Sequence, residues 1–179
     1  FKYAILLLFL AVTSSYLCLI SPSTATSTAI LSVAPTVISG LEIGDTFTIN
    51  LTVTNVTDLN GWQIVLYWKS SVLNATGMIV PSTWSSPNAF FTAPTFTDKY
   101  NTTHGQAFLA SSRLGAQHGL DGTVLLIGIS FKAIGYGNSP LYLDPYGQPP
   151  DYAERTKLVD SSDPFPNDIS FEAFSGRVH

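Results

Sequence analysis

Cysteine is almost absent from this 179-residue chain. The single one, Cys18, lies inside an apolar N-terminal run, so neither a disulfide framework nor a cysteine-based metal site is open to it. Any fold must be held by its core alone. Charge is scarce as well: Asp, Glu, Lys and Arg make up 11% of the residues, against about 25% in ordinary globular chains. Net charge is −4 and the basic residues form no cluster, which argues against nucleic acid as a partner. Gly-x-Ser-x-Gly, His-Glu-x-x-His and phosphate-cradling glycine loops are all missing, and with them the commonest catalytic signatures. His104, His118 and His179 are scattered and read as surface or loop residues. Paired carboxylates of the glycosidase type need a cleft, for which a chain of this size and pattern leaves little room. No catalytic residue is assigned, and the chain reads as a non-enzyme.

The deficit of charge is filled by Thr, Ser, Asn and Gly, the usual makeup of an exported β-rich surface. Residues 1–29 stand apart. Lys2 is followed by an apolar stretch from Tyr3 to Val12 and then by small Ser, Thr and Ala residues, the order of a secretory signal peptide. The alternatives are an N-terminal hydrophobic helix and, because Phe1 opens it, a segment that resembles a processed type IV pilin. Against the pilin stands Ile5, where such chains often carry Glu, and Pro22, which stops a helix early. The expectation is a secreted or cell-surface protein, in contact with membrane only through this segment. The rest, residues 30–179, forms one domain. Its last stretch, Phe171 to His179, reads as a strand without a natural ending, so a longer chain is expected.

After residue 30 the hydrophobic period becomes two. Phe47, Ile49, Leu51 and Val53 alternate with Thr46, Thr48, Asn50, Thr52 and Thr54, the pattern of a strand with one face in the core and one in water. Asn55 to Gly61 is turn material. Trp62, Ile64, Leu66 and Trp68 then form a heavy inward row, with Gln63, Val65 and Tyr67 opposite. Further strand candidates are Leu31–Ile38 (with Pro35 marking an edge or bulge), Val72–Ile79, Ala89–Phe96, Gln106–Ser112, Gly122–Ile134, Pro140–Leu143, Thr156–Val159 and Ile169–Val178. With turn signals between them and no convincing helix, about nine strands predict an all-β, two-sheet, jelly-roll-like β-sandwich.

Four stretches in order carry a resemblance to a known family. They are Val37 to Val53 with Gly44-Asp45-Thr46-Phe47; Asn55 to Trp68 followed by Ser71-Val72-Leu73; Gly122 to Ala133 followed by Gly135 and Leu141-Tyr142-Leu143; and Leu158-Val159-Asp160 followed by Ile169 to Val178 with Gly176. This series resembles the cohesin family, within the wider group of carbohydrate-binding sandwich modules, and covers nearly all of residues 30–178. Lys69-Ser70 replaces the family's usual Asp-Pro. Gln63 falls where dockerin-binding cohesins tend to carry an acidic or amide residue. The match is therefore better for the fold pattern than for the dockerin-contact pattern, and fold alone does not fix function.

The resemblance implies a docking module for a dockerin-like or other cell-surface protein, with the partner lying across one sheet face. The strand Trp62–Trp68 contributes to that face in the family, so Gln63, Val65 and Tyr67 are the expected contact residues, with Tyr67 as anchor. Two other readings stay open. A carbohydrate-binding module would stack polysaccharide on aromatics such as Trp84, Tyr136, Tyr142 or Tyr146. A structural subunit of a surface layer or filament would self-assemble, by strand exchange or through its N-terminal helix. No cofactor is required. Asp144, Asp151, Glu154, Asp160, Asp163 and Asp168 gather in the late loop, and such loops can ligate Ca²⁺, although a solvated acidic loop is the plainer reading. Sequons at Asn50, Asn55, Asn74 and Asn101 mark candidate glycosylation sites.

Overall fold

A computed structural model describes residues 28–143, except 86, 88, 93, 94, 116 and 117, and residues 156–179. The expected signal segment lies outside the described residues apart from its last two. Strands dominate: β1 (Ala29–Ala34), β2 (Val37–Ile38), β3 (Thr46–Leu59), β4 (Gly61–Lys69), β5 (Leu73–Ile79), β6 (Ala89–Phe91), β7 (Thr95–Thr97), β8 (His104–Arg113), β9 (Leu120–Ala133), β10 (Ser139–Leu143), β11 (Lys157–Val159), β12 (Phe171–Phe174) and β13 (Gly176–Val178). One 3-10 turn, Ser82–Trp84, is the only helical element among the described residues.

Two sheets face one another. The smaller runs β12-β1-β3-β9-β5 and the larger β2-β13-β10-β4-β8-β6, with β11 beside β4 and β7 beside β8. Thirteen strands appear among the described residues because three of the ten runs named above are each split in two. Pro35 has no N–H to give to a ladder. Around it the opening run changes sheets, β1 pairing with β3 and β2 with β13. The closing run does the same at Ser175, with β12 beside β1 and β13 beside β10. The expected Ala89–Phe96 strand becomes β6 and β7, both on β8. The expected turn after Thr54 is also corrected. β3 continues to Leu59 through register shifts against β9, with Asn55 and Asp58 at positive φ. Such bulges let a strand go on while it bends.

The core follows the period-two reading closely. Ile49, Leu51 and Val53 from β3 meet Trp62, Ile64, Leu66 and Trp68 from β4, all buried. Phe47 is half-buried and stacks on Phe131. Each large apolar side chain buried contributes about 1.5–3 kcal/mol, so these rows hold the two sheets together without covalent help. Trp68 lies edge-on to Phe131 at 5.2 Å and flat against the backbone of Gly105, where any side chain would run into the indole. Trp84 is also fully buried, edge-on to Trp62 at 5.9 Å, and its indole N–H donates to the Leu125 carbonyl at 3.0 Å. That corrects its expected role: a ring enclosed in the core cannot be a stacking platform for a polysaccharide.

Candidate site on the outer face of the larger sheet

The strand register fixes which side chains leave the core. Gln63, Val65, Tyr67 and Lys69 of β4 stand opposite Ala110, Phe108, Gln106 and His104 of β8, and directly opposed residues share a face. Tyr142 of β10 joins them beside Tyr67, and Lys157 of β11 beside Gln63. Arg177, paired with Pro140, and Phe90, paired with Ser112 on edge strand β6, extend the same face in both directions. The structure therefore brings all three expected contact residues to one outer face.

Their surroundings differ from the expectation. Val65 is completely buried, so its side chain offers nothing to a partner, and that part of the expected contact row is corrected. Period two assigns a side chain to a face but says nothing of what covers it. Tyr67 and Gln63 are half-buried. The Tyr67 ring lies against Tyr100 at 5.7 Å, and its hydroxyl accepts a hydrogen bond from Gln106 Nε2 at 2.9 Å. Beside Val65 the ladder passes from β10, which ends at Leu143, to β11, which starts at Lys157. Of the described residues there, Thr156 reaches Val65 with its side chain. Its Oγ1 accepts from the Val65 N–H at 3.0 Å and donates to the Val65 carbonyl at 3.4 Å, so one hydroxyl serves both backbone groups.

The open part of the face lies lower on the same strands. A groove of about 260 Å³ is bordered by Phe90 on one side and by Val159 and Lys157 on the other. Its floor is made of Gly61, Ala110 and Ser112, all small. Gly61 is needed small, because a Cβ there would come within 3.0 Å of Val159 Cγ2 and 3.3 Å of the Ser111 carbonyl. Phe90 is 61% exposed. Sequence reading missed the groove: it depends on β6 and β11 flanking the floor, and neither short strand has a period of its own.

A second cluster sits at one end of the sandwich. Asp58 accepts from the Gly119 N–H and from the N–H and hydroxyl of Ser161. The His118 ring lies between two carboxylates, 3.1 Å from Asp58 and 3.2 Å from Asp121. Asp121 also accepts from the Asp58 N–H at 2.8 Å. Burial opposes ionisation of Asp58, but the Gly119 N–H, Ser161 and His118 outweigh it and hold its carboxyl below the usual range. The Asp58 N–H, then His118, does the same for Asp121. Sequence separation hid this cluster, since Asp58 and Ser161 are 103 positions apart. Its carboxylates are occupied by the chain itself and tie the end of β3 to the start of β9 and to the segment after β11.

In the late loop, Asp160 accepts from the N–H and hydroxyl of Ser162 and from the N–H and side-chain amide of Asn167. No group of three or more His, Cys, Asp or Glu side chains suited to a metal occurs among the described residues. Asp144, Asp151, Glu154 and Tyr146 lie outside them. Of the other expected stacking aromatics, Tyr136 is 84% exposed, in the turn after β9, and Tyr142 is on the larger sheet's outer face. Among the sequons, Asn50, Asn55 and Asn101 are exposed and Asn74 is half-buried.

Comparison with solved structures settles the architecture. The chain has the cohesin fold. It superposes on the cohesin of a Clostridium thermocellum cohesin–dockerin complex (Coh-OlpA–Doc918) with a TM-score of 0.61 at 13% identity, covering 86% of this chain and 99% of that one. A type II cohesin domain from the cellulosome of Acetivibrio cellulolyticus gives 0.55 at 14%, covering 85% and 95%. A non-cellulosomal cohesin from the archaeon Archaeoglobus fulgidus gives 0.56 at 10%, covering 85% and 90%. No protein-family model and no curated protein matches the sequence. The expected sandwich is confirmed, and the likeness is one of fold.

Proposed function

We propose that this cohesin-type domain is a non-catalytic docking module that receives a dockerin-like or other cell-surface protein on the outer face of its larger sheet. The observation that carries the reading is the groove between Phe90 and Val159, set among aromatic side chains on one face of a fold whose solved relatives include complexes with dockerins. Phe90, Phe108, Tyr67 and Tyr142 all belong to that face, and aromatics are the side chains that most often anchor protein interfaces. Export to the cell surface, through the segment 1–29, and glycans on the exposed sequons belong to the same reading.

A photo-crosslinking amino acid placed at Ser112, on the exposed floor of the groove, tests it against one placed at Thr48, on the outer face of the other sheet. Exposed to the exported proteins of its own organism, the Ser112 derivative is expected to capture a discrete protein that the Thr48 derivative does not. Equal capture at both positions, or capture only of polysaccharide, refutes a docking face there. Both positions are solvent-exposed, so neither substitution disturbs the core.

A further inference from the structure

The cluster at one end of the sandwich places a histidine where its charge matters. His118 stands between two carboxylates, with Nδ1 3.1 Å from Asp58 Oδ1 and Nε2 3.2 Å from Asp121 Oδ2. A carboxylate oxygen only accepts, and a neutral imidazole carries a single N–H. The imidazolium, which carries two, suits both neighbours. Without its second proton the ring would turn a lone pair toward one carboxylate. The two carboxylates would also lose the cation between them, and like charges repel. Two other charged groups adjoin the ring. Arg113 donates to the His118 carbonyl at 2.7 Å, and Asp163 borders the same hollow. Asp160, on the same loop as Asp163, is turned to Ser162 and Asn167. Arginine and aspartate side chains do not ordinarily change charge between about pH 5 and pH 8, the interval in which imidazoles do.

The clamped element is the end of β3. Asp58 has a left-handed backbone with φ 59°, which is uncommon without glycine. Its N–H donates to Asp121 at 2.8 Å, and its carboxylate accepts from the Gly119 and Ser161 N–H groups. Two residues on, the Asn60 N–H donates to the Val159 carbonyl, and the Asn60 carbonyl accepts from the Arg113 N–H. The clamp therefore adjoins the groove, and it exists whether or not the groove docks a protein.

We infer that His118 is a proton-dependent clasp: protonated, it binds Asp58 and Asp121 together and fixes the end of β3, and once the proton is lost that end slackens. A contact that favours the charged imidazole contributes at low pH and is lost as pH rises. Asp58 and Asp121, both held below the ordinary 3.8, contribute above their own range and are lost on acidification. The clasp is closed between the two ranges.

Amide hydrogen exchange of the full chain tests this, read as protection relative to the core residue Ile64. The Asp58, Gly119 and Ser161 amides are expected to be about two- to fivefold better protected at pH 5.5 than at pH 8, roughly what an exposed ion pair supports. In His118→Gln, which is neutral at both, the difference should vanish. Asp121→Asn keeps an oxygen for the Asp58 N–H but loses the charge that attracts the ring, so it should reduce the difference. Both residues are exposed, so neither variant disturbs the core. Equal protection of the parent at the two pH values overturns the inference. So does a pH dependence that survives in His118→Gln, or one that Asp121→Asn leaves at full size.

Discussion

Replacing Thr156 by Val exposes how the central strand of the docking face is held. Thr156 is 2% exposed and bonds both the N–H and the carbonyl of Val65. Valine keeps the shape and removes the oxygen, so a buried N–H and, through its longer bond, a buried carbonyl lose their partner. An unsatisfied buried group costs about 1–3 kcal/mol; the 3.0 Å bond supplies most of that here. The expected loss for Thr156→Val is therefore about 1–3 kcal/mol, or roughly 2–12 °C in Tm at about 2–4 °C per kcal/mol for a domain of this size. Thr156→Ser keeps the hydroxyl and should lose distinctly less. Urea unfolding with an unchanged slope measures the first quantity. Hydrogen exchange at the Val65 amide locates it, with protection falling there more than at Ile64 or Leu66. Unchanged stability of Thr156→Val with full protection of Val65 would refute the assignment of Thr156 as the partner of both Val65 backbone groups.

Three further outcomes follow from other parts of the fold. Gly105→Ala drives a Cβ into the Trp68 indole, which cannot retreat because it is fully buried against Phe131; overpacking of this kind costs about 1–3 kcal/mol, and a variant as stable as the parent in thermal melts would mean that the ring turns freely. Asp160 is held at a pKa of about 2, below the ordinary 3.8, chiefly by the N–H and side-chain amide of Asn167 and then by Ser162. A depressed folded pKa stabilises above the unfolded value and is lost on acidification, so the Asn167 amide should lose protection between about pH 4 and pH 2 and be insensitive to pH there in Asp160→Asn. In a host that glycosylates sequons, mass spectrometry of the folded protein should find glycan at Asn50, Asn55 or Asn101, which are exposed, and occupancy confined to half-buried Asn74 would contradict that order.

Much of the architecture was readable because alternation is a local signal. Phe47 to Val53 and Trp62 to Trp68 each declare their own core row, and the structure packs those rows against each other with only Phe47 left half-buried. The features that escaped are those that need two distant segments. Nothing in the neighbourhood of Val65 announces that Thr156, 91 positions later, will close its ladder. Nothing around Asp58 announces Gly119 and Ser161. Trp84 sits among Ser, Thr and Pro residues that read as loop chemistry, and a loop tryptophan is an ordinary guess for a sugar platform. The 3-10 turn instead folds it inward, where Leu125 supplies an acceptor and Trp62 an edge-on contact. Pro35 was legible as an interruption, but not as the point where the chain crosses from one sheet to the other.

The two outer faces show why composition and net charge were poor guides to the partner. Strand β3 sends Thr46, Thr48 and Asn50 into solvent, and across from them stand Lys132 and Ser130 of β9. The Thr48 and Ser130 hydroxyls bond each other at 3.0 Å, so part of this surface satisfies itself; its exposed apolar side chains are Leu125, Ile79 on edge strand β5 and Phe174 on edge strand β12. Strand β4 sends out a Gln, a Val, a Tyr and a Lys instead, and its neighbours add Phe90, Phe108 and Tyr142. Both faces obey the same alternation, and both belong to a chain with few charges. What separates them is the kind of side chain that alternation sends outward: hydroxyls that partly satisfy one another on the smaller sheet, aromatic rings on the larger. Charge does not separate them, since Lys132 stands on the smaller sheet and Asp168, across from Val159, joins Lys69, Lys157 and Arg177 on the larger.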